Sequence, residues 1–290
     1  MGSFGQTLKS RLYLSAVRTL LRRLGVAHAL AAIDSLRSLG YRLRFRVHPE
    51  GCAVARVGDW TARFVVSSHL ELRQVKTLGG ESKILRRLLK EVRSGDVAYD
   101  IGSNVGLYTV FLAKAVGESG CVIGFEPELR SYRRCVENVR LNALANVRLF
   151  NCGLGNEEKQ VDLIVDESPA SGVHRVLDRD GVRAGSGLQR ARLVVGDHFI
   201  DAHALPVPNI IKIDVEGMEM EVLLGLGETL RRPACRLICC EVHFTILERS
   251  GKKDAAKKIL ELLREAGFDR VEWLDRSHFL AVKVGSSHKA

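Results

Sequence analysis

The chain has 290 residues and a formal net charge of +10, with 46% hydrophobic and 27% charged residues. A chain of this length and composition buries one large core, or one core with a small appendage. Its seven cysteines form no C-x-x-C pair, and most lie in apolar, strand-like runs, where cysteine behaves as a small hydrophobic residue. The pattern argues against a zinc cluster or a disulfide framework and predicts a reduced, cytoplasmic protein.

The positive charge is concentrated in the N-terminal third. Residues 1–95 contain 18 Lys and Arg but only 6 Asp and Glu, whereas the remainder contains 26 and 28. Residues 8–24 are predicted to form a basic amphipathic helix, and residues 26–39 a second helix. Such a helix can make a peripheral contact with an anionic membrane or cap a domain core, which is the commoner arrangement. Nucleic acid is a less favoured partner, because few aromatic residues interleave with the basic ones.

A β-hairpin is predicted after these helices. Its strands are residues 41–47 and Cys52–Val57, and residues 63–67 can add a further strand. A helix over residues 81–93 then leads into the main sheet.

Beyond residue 96, apolar runs alternate with helical patterns. The predicted strands are residues 97–101, 121–126, 147–152, 210–214, 237–242, 271–273 and 279–284. The predicted helices are residues 105–116, 129–144, 218–230 and 254–266. This alternation predicts an α/β fold, with a mostly parallel seven-stranded sheet, helices on both faces and a terminal hairpin. We divide the chain into an extension, residues 1–80, and a domain, residues 81–290, whose insert at residues 168–189 forms either a lid or a surface loop.

A glycine-rich turn follows the first strand of this sheet. Asp100 ends the strand, Gly102 and Gly106 allow close backbone approach to a ligand, and Asn104 tolerates a left-handed conformation. Glu126 ends the next strand, where a carboxylate can accept hydrogen bonds from both hydroxyls of a ribose. This order is typical of a site for a nucleotide-type cofactor.

The turn differs from the G-x-G-x-x-G of dinucleotide-binding proteins. Without the third glycine it is poorly suited to a pyrophosphate, and Asp100 would repel that anion. S-adenosylmethionine carries no phosphate and presents a sulfonium, which an acid attracts. The sequence therefore favours S-adenosylmethionine over NAD and argues against a dehydrogenase.

Several ordered blocks resemble the FkbM-type methyltransferases. Residues 210–225 are similar to the family's K-I-D-V-E-G-x-E-x-E-V-L-x-G, and residues 95–106 to its G-D-x-x-x-D-x-G-A-N-x-G, with serine for the usual alanine. Residues 125–127 resemble its F-E-P, residues 138–142 its N-x-x-x-N and residues 241–243 its E-x-H. The two asparagines are more typical of helix packing than of ligand binding.

The resemblance covers residues 81–285 and implies a Rossmann-like class I fold. It also implies S-adenosylmethionine-dependent methyl transfer to a small-molecule or glycan acceptor, most often to a hydroxyl of a sugar or a related natural product. The expected cofactor-binding residues are Glu81, Asp100, Gly102, Asn104, Gly106, Glu126 and Gly153. We expect the glycine turn to contact the methionine and sulfonium end, Glu126 the ribose, and the backbone near Gly153 the adenine.

Four polar residues end two further strands and are the catalytic candidates. Asp214 and Glu216 follow the fourth strand, Glu241 and His243 the fifth, and carboxyl ends of parallel strands meet at one edge of a sheet. His243 is the best candidate for the general base, oriented by Glu241 or Asp214, because its ordinary pKa lies near neutrality. Alternatively, Asp214 or Glu216 caps the next helix, and Lys212 pairs with an acid. The carboxylates could also bind Mg²⁺, although no spacing here is diagnostic of a metal.

Two other functions stay open from the sequence. An RNA or other nucleic-acid methyltransferase would explain the basic extension, but the chain lacks an N-P-P-Y-like block and a Pro-Cys pair. A non-catalytic binding protein on the same fold is also compatible with the sequence, because fold does not fix function.

Overall fold

The computed structural model describes residues 39, 40, 43, 51–165, 175, 176 and 187–284. The chain divides into two compact units, Met1–Gly51 with Val66–Arg73, and Cys52–Val65 with Gln74–Ala290. The second unit contains the main sheet and every site residue named above.

The predicted N-terminal helix at residues 8–24 lies outside the described residues, so its membrane contact stays a prediction. The predicted helix at residues 26–39 is described only at Leu39, which is helical. The boundary after residue 80 likewise stays a prediction. None of the helices in the described part of the chain has the length and apolar character that crossing a membrane requires.

The residues described from 51 onwards form thirteen strands, nine α-helices and one short 3-10 helix, Leu78–Gly80. The strands are β1 (Cys52–Val57), β2 (Trp60–Val65), β3 (Val97–Ile101), β4 (Cys121–Phe125), β5 (Val147–Phe150), β6 (Gly153–Gly155), β7 (Lys159–Val165), β8 (Arg175–Val176), β9 (Gly187–Val195), β10 (Ile210–Ile213), β11 (Leu237–Glu241), β12 (Arg270–Trp273) and β13 (His278–Val282). The helices are α1 (His69–Thr77), α2 (Ser82–Leu89), α3 (Leu107–Val116), α4 (Leu129–Leu141), α5 (Gly196–Ala202), α6 (Glu219–Gly225), α7 (Gly227–Arg231), α8 (Phe244–Arg249) and α9 (Ala255–Glu265).

Seven strands form the main sheet in the order β12-β13-β11-β10-β3-β4-β5. The five from β11 to β5 run parallel, whereas β13 is antiparallel to both β11 and β12. The predicted Rossmann-like sheet and its terminal hairpin are therefore confirmed. The strand order reverses between β3 and β10, and open α/β sheets bind ligands at such a switch point, beyond the carboxyl ends of the strands.

Helices cover both faces of this sheet. Successive side chains of a strand point to opposite faces, so Ile211 belongs to the core cluster on one side, which includes Val222 of α6, while Lys212 lies on the other, over the ring of Tyr108 in α3. Strand β10 is buried along its whole length, as a central parallel strand between two helical layers must be.

The predicted helix at residues 218–230 is two helices, α6 and α7, which are separated at Leu226. The break occurs where α6 meets β6. A Cβ atom on Gly225 would lie 1.8 Å from the backbone oxygen of Gly155, so only glycine permits this approach. The predicted helix at residues 81–93 is also shorter and ends at Leu89.

The N-terminal hairpin pairs β1 with β2, through a two-residue turn at Gly58 and Asp59. The predicted partner strand of β1, residues 41–47, lies outside the described residues except at one position. Of that segment only Leu43 is described, and it is helical. A Gly-Asp dipeptide between two alternating runs is a hairpin signal that identifies β2 as the partner.

Asn138 and Asn142 of α4 bind the edge of this hairpin. The side chain of Asn138 accepts the N–H of Val65 at 2.7 Å and donates to the carbonyl of Val105 at 2.7 Å. Asn142 accepts the N–H of Arg63 at 2.9 Å and donates to its carbonyl at 2.6 Å. Both asparagines are thus packing residues, and the N-x-x-x-N spacing matches the two-residue repeat of β2.

A second sheet, which the sequence did not predict, has the order β6-β9-β7-β8. Strand β9 pairs antiparallel with β7 and parallel with β6. Residues 187–189 begin β9, so their assignment to a lid or surface loop is wrong. Residues 175 and 176 form β8, and the rest of the insert at residues 168–189 lies outside the described residues. Helices α1, α5 and α8 were also not predicted.

Candidate active site

A cavity of about 280 Å³ opens at the carboxyl ends of β3, β4, β10 and β11. The predicted site residues in its wall are Glu81, Gly102, Asn104, Glu126, Gly153, Asp214, Glu216, Glu241 and His243. Asp100 and Gly106 are not part of the wall. The residues expected to bind the cofactor and those expected to act on the acceptor thus meet in one space.

The glycine turn brings β3 against the end of β10. Gly102 has a φ of +81°, and a Cβ atom there would lie 1.8 Å from the backbone oxygen of Asp214. Gly106 has a φ of +88°, and its Cβ atom would lie 2.7 Å from the Sγ of Cys135. Asn104 is also left-handed, with a φ of +47°. Gly106 is therefore required by helix packing, whereas Gly102 lets two ligand-facing loops meet.

Asp100 lies beneath the cavity. Its side chain is 1% exposed and accepts a hydrogen bond from the hydroxyl of Thr109 at 2.5 Å. Burial raises its pKa to about 6, although this bond and the charge of Lys212 oppose the shift. In this position Asp100 connects β3 to α3. Because Asp100 does not line the cavity, the structure does not support its predicted contact with the cofactor.

Glu126 ends β4 and is held by the backbone. Its two carboxylate oxygens accept the N–H groups of Asn104 at 2.7 Å and Glu128 at 2.8 Å. Burial raises the pKa of Glu126 to about 8, although both backbone N–H groups lower it. Each oxygen has a second lone pair, so the carboxylate can still accept hydrogen bonds from a ligand in the cavity.

His243 is fixed by a residue that the sequence analysis did not assign to the site. Its Nδ1 lies 2.6 Å from Oε1 of Glu219, a side chain in the first turn of α6 that is 0% exposed. The orienting group is therefore Glu219, whereas the sequence analysis assigned this role to Glu241 or Asp214. Glu219 belongs to the K-I-D-V-E-G-x-E block, which was its only sequence signal. The block alone does not indicate that the side chain of Glu219 is buried and contacts His243.

The Nε2 of His243 faces three further carboxylates. It lies 3.5 Å from Glu216, 3.7 Å from Asp214 and 4.0 Å from Glu241. Burial lowers the pKa of His243, but the hydrogen bond to Glu219 and the surrounding negative charge raise it to about 9. The ring is thus protonated at neutral pH while the cavity is open to water.

Two of these carboxylates, Glu216 and Glu241, have pKa values shifted in opposite directions. Burial raises the pKa of Glu216 to about 7, and the charge of His243 only partly offsets it. Burial also raises the pKa of Glu241, but the hydrogen bond and charge of His278 outweigh this effect and bring the pKa to about 2.

The N-cap residue of α6 is Met218, and no side chain caps the helix there, so neither Asp214 nor Glu216 is its cap.

Lys212 lies under the cavity as a buried cation. Its Nζ is 3.3 Å from Oδ2 of Asp214 and 4.6 Å from the centre of the Tyr108 ring. The alternative in which Lys212 pairs with an acid is thus realised, and the acid is Asp214. The Tyr108 hydroxyl donates to Glu81 at 2.6 Å. Lys212 and Tyr108 thus position two of the carboxylates that line the cavity.

His278 is a second histidine of the site. It lies on β13, is 4% exposed, and its Nε2 is 3.2 Å from Oε2 of Glu241. An isolated histidine in an apolar run carries no sequence signal, so only strand pairing shows its role. Glu241 and His278 are register partners on adjacent antiparallel strands.

The sequence model of the methyltransferase FkbM domain matches residues 100–270. The chain belongs to this family. Among curated relatives of this FkbM methyltransferase, the hexuronic acid methyltransferase AglP of Haloferax volcanii is 30% identical over 213 residues, which are 73% of this chain and 80% of that protein. The 31-O-demethyl-FK506 methyltransferase FkbM of Streptomyces tacrolimicus is 24% identical over 245 residues, which are 76% and 86% of the two chains.

A solved structure is also similar to this FkbM methyltransferase. The O-methyltransferase from Bacillus cereus in complex with SAH gives a TM-score of 0.43 at 16% identity, covering 72% of this chain and 81% of that chain. With the family established, the chain is an S-adenosylmethionine-dependent methyltransferase, and its main sheet is that of the class I fold.

The cavity of this FkbM methyltransferase fits S-adenosylmethionine chemically. Glu126 offers carboxylate oxygens for ribose hydroxyls, and Glu81 and Asp214 add negative charge that favours a sulfonium. Leu163 and Leu193 supply apolar surface for a purine.

Three residues of the site could also hold a divalent cation. Asp214, Glu241 and His243 each offer one ligand atom, and these atoms lie within 4.8 Å of one another. Carboxylate oxygens suit Mg²⁺, and imidazole suits transition metals. The ammonium of Lys212 beside Asp214 opposes such binding by charge repulsion.

Proposed function

We propose that this methyltransferase transfers the methyl group of S-adenosylmethionine to a hydroxyl of a sugar, a glycan or a related natural product. The observation that carries the proposal is the pair of His243 and Glu219. Because Glu219 holds Nδ1, the other ring nitrogen of His243 faces the cavity that Glu126 also lines. A base and a ribose-binding carboxylate thus share one space.

The bound cofactor supplies a methyl group on a positively charged sulfur, which already makes it reactive. The residues of the chain then have two tasks, to hold the acceptor hydroxyl in line with that methyl group and to accept its proton. Positioning alone can account for several kcal/mol of a barrier of this kind. We assign proton acceptance to Nε2 of His243 and positioning of the ring to Glu219.

The charges around His243 suit this role. When Nε2 takes the hydroxyl proton, the imidazolium that forms lies 3.5 Å from Glu216 and 3.7 Å from Asp214. Its Nδ1–H stays bonded to the buried carboxylate of Glu219. These carboxylates stabilise the charged ring, which favours proton removal from a weakly acidic hydroxyl but requires that His243 first lose its own proton.

The acceptor class is supported by the relatives. The protein from Haloferax volcanii is named as a hexuronic acid methyltransferase, and it matches 73% of this chain. A sugar hydroxyl has little acidity of its own, so it needs a general base such as the one that His243 provides.

The proposal is tested by incubating the purified protein with isotopically labelled S-adenosylmethionine and a panel of hexuronic acids, neutral sugars and glycan extracts. We expect label in a sugar ether, and a His243→Ala variant that keeps cofactor affinity but loses turnover by about 10²- to 10⁴-fold. Normal turnover in that variant would remove His243 from the mechanism. Label found in RNA but in no sugar would overturn the proposed acceptor, and label in no acceptor, with the cofactor bound, would favour a non-catalytic binding protein.

A further inference from the structure

A groove of about 650 Å³ lies beside the catalytic cavity. One wall is formed by α2 and the other by the end of β12, with Trp273 and Leu274. Gly80 and Ser82 border this groove, whereas Gly79 and Glu81 line the cavity. The two spaces are therefore separated only by the backbone that leads into α2. We call this space the basic groove.

Cationic residues dominate the α2 wall of the basic groove. Lys83, Arg86 and Lys90 are exposed, and their spacing places them along one face of the helix. Arg87 is neutralised by Glu272 at 2.8 Å and Glu91 at 2.5 Å. Within the described part of the chain, no carboxylate pairs with the other three cations, although Lys83 donates to the carbonyl of Leu274 at 3.3 Å.

The opposite wall carries an exposed aromatic surface. Trp273 is 42% exposed although its indole is held edge-on by the buried ring of Phe279, at 5.2 Å between centroids. Phe244, 40% exposed, lies 6.1 Å from Trp273 and directly follows His243 in the chain. Phe244 thus places an aromatic ring next to Trp273 on the segment that begins at the base of the cavity. Rigid aromatic faces of this kind are suited to packing against the apolar face of a sugar ring.

We propose that the basic groove and its aromatic wall form an acceptor subsite for an extended anionic glycan, one that carries carboxylates such as those of uronic acids. The ring to be methylated would lie in the cavity, the next ring against Trp273, and the carboxylates beyond it against Lys83, Arg86 and Lys90. From Lys83 to Lys90 the helix rises about 10 Å, at 1.5 Å per residue. This length lets the cations contact successive rings. The inference rests on the proposed function, because it specifies the acceptor of the same site.

The observations favour a glycan over a nucleic acid. Single-stranded nucleic acids are bound by repeated aromatic platforms on which successive bases stack. The basic groove offers one such surface, Trp273 with the neighbouring Phe244, and its remaining charged residues are cations apart from Glu272, which Arg87 pairs. That arrangement matches a polymer with one ring to be positioned and repeated negative charge beyond it.

The test is binding of a galacturonate oligosaccharide to the full chain loaded with S-adenosylhomocysteine, measured by titration calorimetry. Trp273 fluorescence gives a second readout, because the chain has only two tryptophans. The groove variant is Lys83→Gln with Arg86→Gln and Lys90→Gln. Its matched control removes three exposed charges from α9 instead, as Lys257→Gln, Lys258→Gln and Arg264→Gln. Trp273→Ala tests the aromatic wall, with Trp273→Phe as the conservative rescue.

We expect the groove variant and Trp273→Ala to bind the oligosaccharide about tenfold more weakly than the control, with unchanged affinity for S-adenosylhomocysteine. The methyl-esterified, uncharged oligosaccharide should bind the wild type about tenfold more weakly as well. Equal binding by the groove variant and the control would overturn the inference, and so would tight binding of a uridine homopolymer in place of the oligosaccharide. If the protein methylates a neutral sugar and the groove variant does so equally well, the subsite is refuted but the proposed function is not. Binding of the oligosaccharide without any methyl transfer would refute only the proposed function.

Discussion

Glu219 acts at the scale of a single hydrogen bond, and its removal gives a specific signature. In Glu219→Gln the ring keeps a hydrogen-bond acceptor but loses the adjacent charge, so the pKa of His243 should fall from about 9 towards its ordinary value of 6.5. We expect the rising limb of the kcat/KM profile to move to lower pH. The maximum rate should fall roughly tenfold or more, because the imidazolium is less stabilised.

The matched control for that variant is Glu221→Gln, on the same helix. Glu221 binds Lys252 and has no contact with His243 among its described partners. A pH profile that moves equally in both variants would show that the shift comes from general electrostatics and not from the orienting bond.

Glu126 should determine cofactor affinity. Removing its carboxyl group in Glu126→Ala should weaken binding of S-adenosylmethionine and S-adenosylhomocysteine about 10- to 100-fold, because the ribose hydroxyls would lose their hydrogen-bond acceptors. Titration calorimetry measures both ligands. Glu137→Ala, an exposed site on α4, is the control. Unchanged affinity in Glu126→Ala would mean that the ribose lies elsewhere.

At the scale of elements, Gly225 explains why α6 and α7 are separate helices. Gly225→Ala would place Cβ 1.8 Å from the oxygen of Gly155, and we expect the free energy of unfolding to fall by about 1–3 kcal/mol as β6 is displaced. In Gly227→Ala the nearest atom would be the flexible end of Arg231 at 3.4 Å, so stability should change little. Denaturant unfolding compares the two. Helix propensity favours alanine over glycine at both positions, so equal changes in the two variants would show that the contact with β6 is not what requires Gly225.

The elements that the sequence predicted well are those whose pattern is local. Strand β3 was predicted with its exact bounds, because a short apolar run between breakers has to be buried. The second sheet was missed because β7 and β9 are each half-buried strands that are separated by the insert. Their pairing depends on a partner about thirty residues away. The pairing of β1 with β2 was missed for a different reason, because the local turn signal at Gly58 and Asp59 was not used.

For the whole molecule, several shifted groups act on stability in the same direction. In the ligand-free fold, Asp100, Glu216 and Glu126 have pKa values raised to about 6, 7 and 8, and that of His243 is raised to about 9. A raised pKa means that the folded state holds the proton more tightly, so its stabilising effect is lost as pH rises through the folded value. We therefore expect the free energy of unfolding to fall between about pH 5 and pH 9.

Thermal unfolding at a series of pH values measures this loss, and Glu126→Gln should lose less than the wild type, since it removes one of these groups. S-adenosylhomocysteine should raise the unfolding temperature at every pH by binding only the folded state. A wild type that becomes more stable from pH 5 to pH 9 would contradict the assigned shifts.

The sequence by itself determined the strands of the main sheet in chain order, the glycine turn and the placing of acids at strand ends. These depend on local periodicity and on the rule that parallel strands meet at one edge. Tertiary structure alone decided which of the acids contacts His243, because the bond from Glu219 joins α6 to the segment that follows β11. It also placed His278 beside Glu241, removed Asp100 from the cavity wall and formed the basic groove from α2 and β12. Each of these features joins segments that are distant in the chain, and the sequence of one segment does not indicate which other segment it will contact.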